Sequence, residues 1–95
     1  MKTEYKFLLT GRLDMKALEA IKDYCLMTAG GYTVQYADSE GAWRDPATGT
    51  VHYDIHLTLF VACDNDAQAY QIETFARNLL KQIAIYTVKM GEVLT

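Results

Sequence analysis

The stretch Thr50-Val51-His52-Tyr53-Asp54-Ile55-His56-Leu57-Thr58-Leu59-Phe60-Val61-Ala62 sets Val51, Tyr53, Ile55, Leu57, Leu59 and Val61 at strict period two. Successive side chains of a strand point to opposite faces, so this spacing predicts a strand over residues 50–62 with one apolar face. The opposite set is His52, Asp54, His56, Thr58 and Phe60. Just before it, Arg44-Asp45-Pro46-Ala47-Thr48-Gly49 gathers the only proline of the chain, an Asp ahead of it and a Gly three residues on. Those residue types reverse a chain within a few positions. Further back, residues 32–43, Tyr-Thr-Val-Gln-Tyr-Ala-Asp-Ser-Glu-Gly-Ala-Trp, begin aromatic and β-branched and then turn polar, which reads as one long strand. Two long strands joined by a tight turn make a hairpin.

On the N-terminal side, residues 4–10 alternate Tyr5, Phe7 and Leu9 with Lys6, Leu8 and Thr10, a half-buried strand that Gly11 ends. Asp14 is placed to cap a helix whose apolar positions Ala17, Leu18, Ile21, Tyr24 and Cys25 follow three-and-four spacing, with Lys16, Glu19, Lys22 and Asp23 toward water. Gly30 and Gly31 stop it. On the C-terminal side, Asp64-Asn65-Asp66 supplies acceptors for the free amides of a second helix, and Ile72, Phe75, Ala76, Leu79 and Leu80 form its apolar stripe. A last strand over residues 83–90 is rich in β-branched residues, and Gly91 is expected to end it.

The resulting order, βαββαβ, predicts an α+β domain with the ferredoxin-like split βαβ arrangement: a four-stranded antiparallel sheet with two helices on one face and a long hairpin between the second and third strands. With 95 residues and 51% hydrophobic positions, residues 1–95 form a single domain. The hairpin strands of about 12 residues reach about 40 Å, whereas a helix of about 16 residues spans about 24 Å. The hairpin therefore outruns its own domain. Proteins cover or pair exposed strand edges, so a neighbouring copy of the chain is the expected cover, in a trimer ahead of a dimer.

The ribbon, its segment Gly41-Ala42-Trp43-Arg44-Asp45-Pro46-Ala47-Thr48-Gly49-Thr50-Val51-His52-Tyr53-Asp54, and the Gln82-centred entry to the last strand resemble the PII-like and CutA-like small proteins and related families. The resemblance implies the βαββαβ plan, trimers, and ligands or partners engaging the cleft between subunits near the loop of the ribbon. It supplies no catalytic residue, and the chain lacks the glycine motif of a nucleotide site.

Several function classes are disfavoured by composition. Nine basic residues against twelve acidic give −3 with no basic cluster, so phosphate-backbone binding to nucleic acid is not expected. Residues 1–6 interleave charged and apolar positions, unlike a signal peptide, and no apolar run approaches the length of a bilayer span. A cytoplasmic protein without membrane association is expected. Cys25 and Cys63 lack the close spacing of metal-binding pairs and read as buried free thiols, so neither a metal nor another cofactor is expected.

The strongest chemical candidate is His52-Tyr53-Asp54-Ile55-His56, whose spacing sets two imidazoles and a carboxylate on one strand face about 7 Å apart in sequence order. The histidines themselves stand about 13 Å apart, too far for one ordinary zinc site. A solvated polar stripe is the plain reading; proton donation to a ligand is the functional one. Trp43, Arg44 and Asp45 at the ribbon tip, Tyr36 on its first strand and Gln82 complete the candidate ligand or partner surface. The expectation is a non-catalytic, oligomeric, regulatory binding protein that engages a small molecule or a partner protein. The alternative is an isomerase- or lyase-type enzyme using His52, Asp54 and His56 for acid–base chemistry at a subunit interface. No nucleophile stands at recognisable spacing from a base, since Ser39 is the only serine.

Overall fold

The computed structural model describes residues 1–9, 15–82 and 85–94, with the side chains of residues 37–41, 43 and 52–56 outside that description. Six elements follow in the order β1 (Thr3–Leu9), α1 (Met15–Ala29), β2 (Thr33–Arg44), β3 (Val51–Cys63), α2 (Asp66–Leu80) and β4 (Tyr86–Glu92). The strands form one four-stranded antiparallel sheet in the order β2-β3-β1-β4. β1 and β2 thus run parallel with β3 between them, and β3 and β4 run parallel with β1 between them. The expected ends at Thr10 and Gly11, the Asp14 cap and the start of the last strand at residues 83 and 84 lie outside the described residues.

The core lies between the helices and one sheet face. Tyr5, Phe7 and Leu9 of β1 and Leu59, Val61 and Cys63 of β3 meet Leu18, Ile21, Cys25 and Ala29 of α1 and Ala69, Ile72, Ala76 and Leu80 of α2. Each helix buries positions three and four apart, the spacing that keeps side chains on one face of a 3.6-residue turn. Tyr24 and Phe75 close the helix pair with stacked rings, centroids 4.2 Å apart and planes within 5°. Both cysteines are free and buried. Burial pushes the Cys25 thiol up to about 12 and the Cys63 thiol up to about 11.

Local chemistry explains the helix ends. Gly30 at φ 87° ends α1, its amide turned back to the carbonyls of Cys25 and Leu26, a conformation that glycine adopts without steric cost. Asn65 caps α2, its side-chain oxygen accepting from the Gln68 amide at 2.8 Å, and Asp66 adds charge to the first turn. At the other end Lys81 takes the left-handed conformation (φ 56°, ψ 41°), the Gln82 amide reaching Arg77 O and the Lys81 amide reaching Asn78 O. That pair of bonds is the Schellman closure, here built on lysine where glycine is usual.

Four details differ from the expectations. Leu79 is 40% exposed and outside the buried stripe, because Ala76 and Leu80 already fill the core-facing positions of that turn. Lys22 does not stand free in water: its side chain is 12% exposed and lies against Tyr32, just ahead of β2, and Tyr36 within it. Thr58, expected on the open face, is buried, since on an inner strand it is flanked by Leu8 of β1 and Gln35 of β2. β4 begins at Tyr86, leaving Ile85 to bury itself ahead of the strand, and Gly91 does not end it. Glu4 pairs with Gly91 and Tyr5 with Lys89, so Met90 is an extra residue in a bulge that Gly91 accommodates at φ 132°.

Candidate functional site

The hairpin is the part of the chain that leaves the domain. Among the described residues β1 pairs with β3 from Leu57 to Cys63, and residues 51–56 of β3 pair only with residues 39–44 of β2. At about 3.3 Å per residue this two-stranded ribbon projects about 20 Å before its turn. The long dimension of the molecule, 46 Å against 27 and 24 Å, reflects it. The register changes where the ribbon departs: β2 takes four steps from Gln35 to Ser39 while β3 takes two, from Thr58 to His56. Two extra residues on one strand bend and twist it, which separates the ribbon from the sheet.

The tip is closed by its own polar groups. The Asp45 amide donates to Thr50 O at 2.8 Å and the Gly49 amide to Asp45 O at 2.7 Å, while the Asp45 carboxylate accepts from the Ala47 amide at 2.8 Å. Arg44 donates through Nη1 to Gly49 O at 3.0 Å. Two residues picked out for binding, Arg44 and Asp45, thus hold the turn together while remaining on its surface. The backbone register sets Trp43 across from His52, Gly41 across from Asp54 and Ser39 across from His56. The side chains of Trp43, His52, Asp54 and His56 lie outside the described residues.

The remaining candidates are not brought to the tip. Tyr36 is 64% exposed, and its hydroxyl accepts from Lys22 Nζ of α1 at 2.8 Å. Lys22 Nζ also stands 6.0 Å from the ring centre of Tyr32 and 5.5 Å from that of Tyr36, and 3.4 Å from Glu19. Its pKa is raised, first by the hydrogen bond to Tyr36; partial burial opposes the rise and Glu19 adds to it. Gln82 is part-buried just past α2, its amide closing the helix end and its side chain 3.5 Å from Leu80 O. It reads as part of the helix terminus.

Charge adds what the residue-by-residue reading missed. Residues 39–56 hold Glu40, Asp45 and Asp54 against Arg44, so the ribbon and its turn carry −2 of the chain's −3. Two such ribbons laid side by side repel, whereas a ribbon resting on the nearly balanced body of another copy is repelled less. Counting charge by segment would have found this in the sequence.

A second polar cluster ties the sheet to α2. The buried Tyr5 hydroxyl donates to Asp66, and Lys89 Nζ of β4 stands 3.1 Å from the same carboxylate oxygen. Asp66 is held below the usual carboxylate range, first by the bond from Tyr5 and then by Lys89. Tyr5 is pushed up to about 12 by the hydrogen bond to Asp66, with burial adding to it. Both partners are engaged with each other, so the cluster is a clasp between β1, β4 and the start of α2.

Concave surface among the described residues lies away from the ribbon. One shallow groove crosses the helices beside the stacked Tyr24 and Phe75, with Tyr70 exposed on its rim. The other lies at the opposite end of the sheet from the ribbon tip. Among the described residues no three histidine, cysteine or acidic side chains converge on a metal position, and no helix is long and apolar enough to cross a membrane. No protein-family model and no curated protein matches the chain.

Proposed function

We propose that the chain is a ferredoxin-like domain that assembles with copies of itself through the β2–β3 ribbon and serves as a non-catalytic, regulatory binding protein for a small molecule or a partner protein. The fold reading is supported by the two crossovers, each joining a pair of parallel strands through a helix with a third strand lying between them. The assembly reading is supported by one observation: among the described residues, 39–44 and 51–56 pair only with each other. A lone two-stranded ribbon is at best marginally stable in water, and its free edges are what other chains pair with.

The charge distribution favours one geometry over another. Arms carrying −2 of the chain's −3 are poorly suited to lie against each other, so each arm rests on a neighbour's body. A closed ring, trimer or dimer, satisfies this, since every copy gives one ribbon and receives another. The isomerase- or lyase-type alternative depends on His52, Asp54 and His56, and no observation favours it.

Multi-angle light scattering and sedimentation of the intact protein over a wide concentration range test the reading. A closed oligomer is expected in the micromolar range. A monomer persisting at tens of micromolar overturns it.

A further inference from the structure

The hollow at the base of the sheet arises from small residues in a row. β1 sets Glu4 beside Ala62 of β3, and the chain entering β2 passes beside them as Gly30-Gly31. Where side chains are nearly absent, a cavity of about 280 Å3 remains, walled by Lys2, Glu4 and Tyr32 and floored by Phe60 and Ala62. Pockets for drug-sized ligands begin near about 300 Å3, so an occupant of this one is small.

Its two charges are not spent on each other. Lys2 Nζ donates to Ala29 O at 2.6 Å, drawn to the partially negative C-terminal end of α1, and keeps further N–H groups for another acceptor. Glu4 is partly buried and has no hydrogen-bond or ion-pair partner among the described residues. An unpaired carboxylate on the wall of a hollow is a ready partner for a cation arriving there. Lys2 and Glu4 are two residues apart, about 7 Å at Cα, a spacing that one small molecule carrying both an ammonium and a carboxylate can bridge. Phe60 and Ala62 leave an apolar floor for the rest of it.

We propose that this hollow binds a free α-amino acid with an apolar side chain, its ammonium on Glu4 and its carboxylate on Lys2. The site is complete within one chain and lies at the far end of β3 from the ribbon tip, so it stands independently of the assembly reading.

Backbone amide NMR of the intact protein, titrated with L-leucine, isopentylamine, leucine amide and N-acetyl-leucine, tests it. L-Leucine is expected to shift the amides of Glu4, Gly31 and Ala62 saturably with millimolar or tighter affinity. The three analogues, each lacking one charge, should bind at least about tenfold more weakly, and Glu4→Gln should lose leucine binding by a similar factor at unchanged thermal stability. Failure of leucine to saturate, a Glu4→Gln variant that binds as well as the parent, or equal binding of leucine amide or N-acetyl-leucine, as a peptide terminus would give, overturns the proposal.

Discussion

Excising the ribbon separates its part in the domain from its part in assembly. Joining Ser39 to His56 through Asn-Gly removes residues 40–55 and keeps a directly paired register on both sides of a two-residue turn. Every described core residue lies outside that segment. The hairpin contributes little stability of its own, so the unfolding free energy of the monomer should change by no more than about 1 kcal/mol. Assembly should respond differently. A ribbon about 20 Å long and about 10 Å wide has faces of about 200 Å2 each, so seating both faces buries about 400 Å2, with a like area on the receiving copy. A copy that gives one ribbon and receives another takes part in two such seats of about 800 Å2 each; a dimer gathers both into one contact of about 1,600 Å2, the size of a standard stable interface, and a trimer spreads them over two contacts. Without ribbons both seats vanish, and the shortened chain should be monomeric at every accessible concentration although its charge falls only from −3 to −1, three acids and one base being lost. Urea unfolding and sedimentation velocity read the two effects. A loss of more than about 2 kcal/mol would mean that the ribbon is part of the domain's own stability, and an unchanged assembly would mean that it is no arm.

Three further outcomes follow from the packing. Lys81→Gly should stabilise the protein by about 0.5–1 kcal/mol, raising the melting temperature by a few degrees, because it relieves a left-handed conformation held by a side-chain-bearing residue. Destabilisation in thermal unfolding would show that the lysine side chain outweighs the backbone term. Cys25 and Cys63, both buried with thiols pushed up to about 12 and about 11, should label with a disulfide reagent at pH 8 only at the rate of unfolding, so rapid labelling of the native protein contradicts their placement. The Tyr5–Asp66 clasp should give stability a plateau with two edges. Asp66 has a depressed pKa, so its contribution is present above the unfolded carboxylate value near about 3.9 and is lost as pH falls through the lower folded value; Tyr5 has a raised one, so its contribution is full below about 10 and is lost as pH rises through about 12. Denaturation midpoints against pH should show both edges, and Tyr5→Phe should remove the alkaline one; an alkaline edge that persists unchanged in that variant refutes the assignment.

The sequence by itself determined the elements and their order. Period two in residues 50–62, three-and-four spacing in both helices, and the Asp-Pro-Ala-Thr-Gly turn are local patterns, legible because a strand or a helix turn repeats its geometry every few residues. Residue counts alone also made the hairpin longer than the helices beside it, and β2 and β3 pair along that length, through residues 39–44 and 51–56 up to the turn. Tertiary structure decided which polar groups meet. The clasp of Tyr5 and Asp66 joins residues 61 positions apart, Lys22 leaves the water-facing side of its helix for Tyr36, and the hollow beside Glu4 forms where the register brings Ala62 alongside it. Periodicity tells which face of a strand is apolar but not which residue of another strand lies beside a given position. That neighbour is set by register, and register is settled only when the whole sheet and its helices pack together.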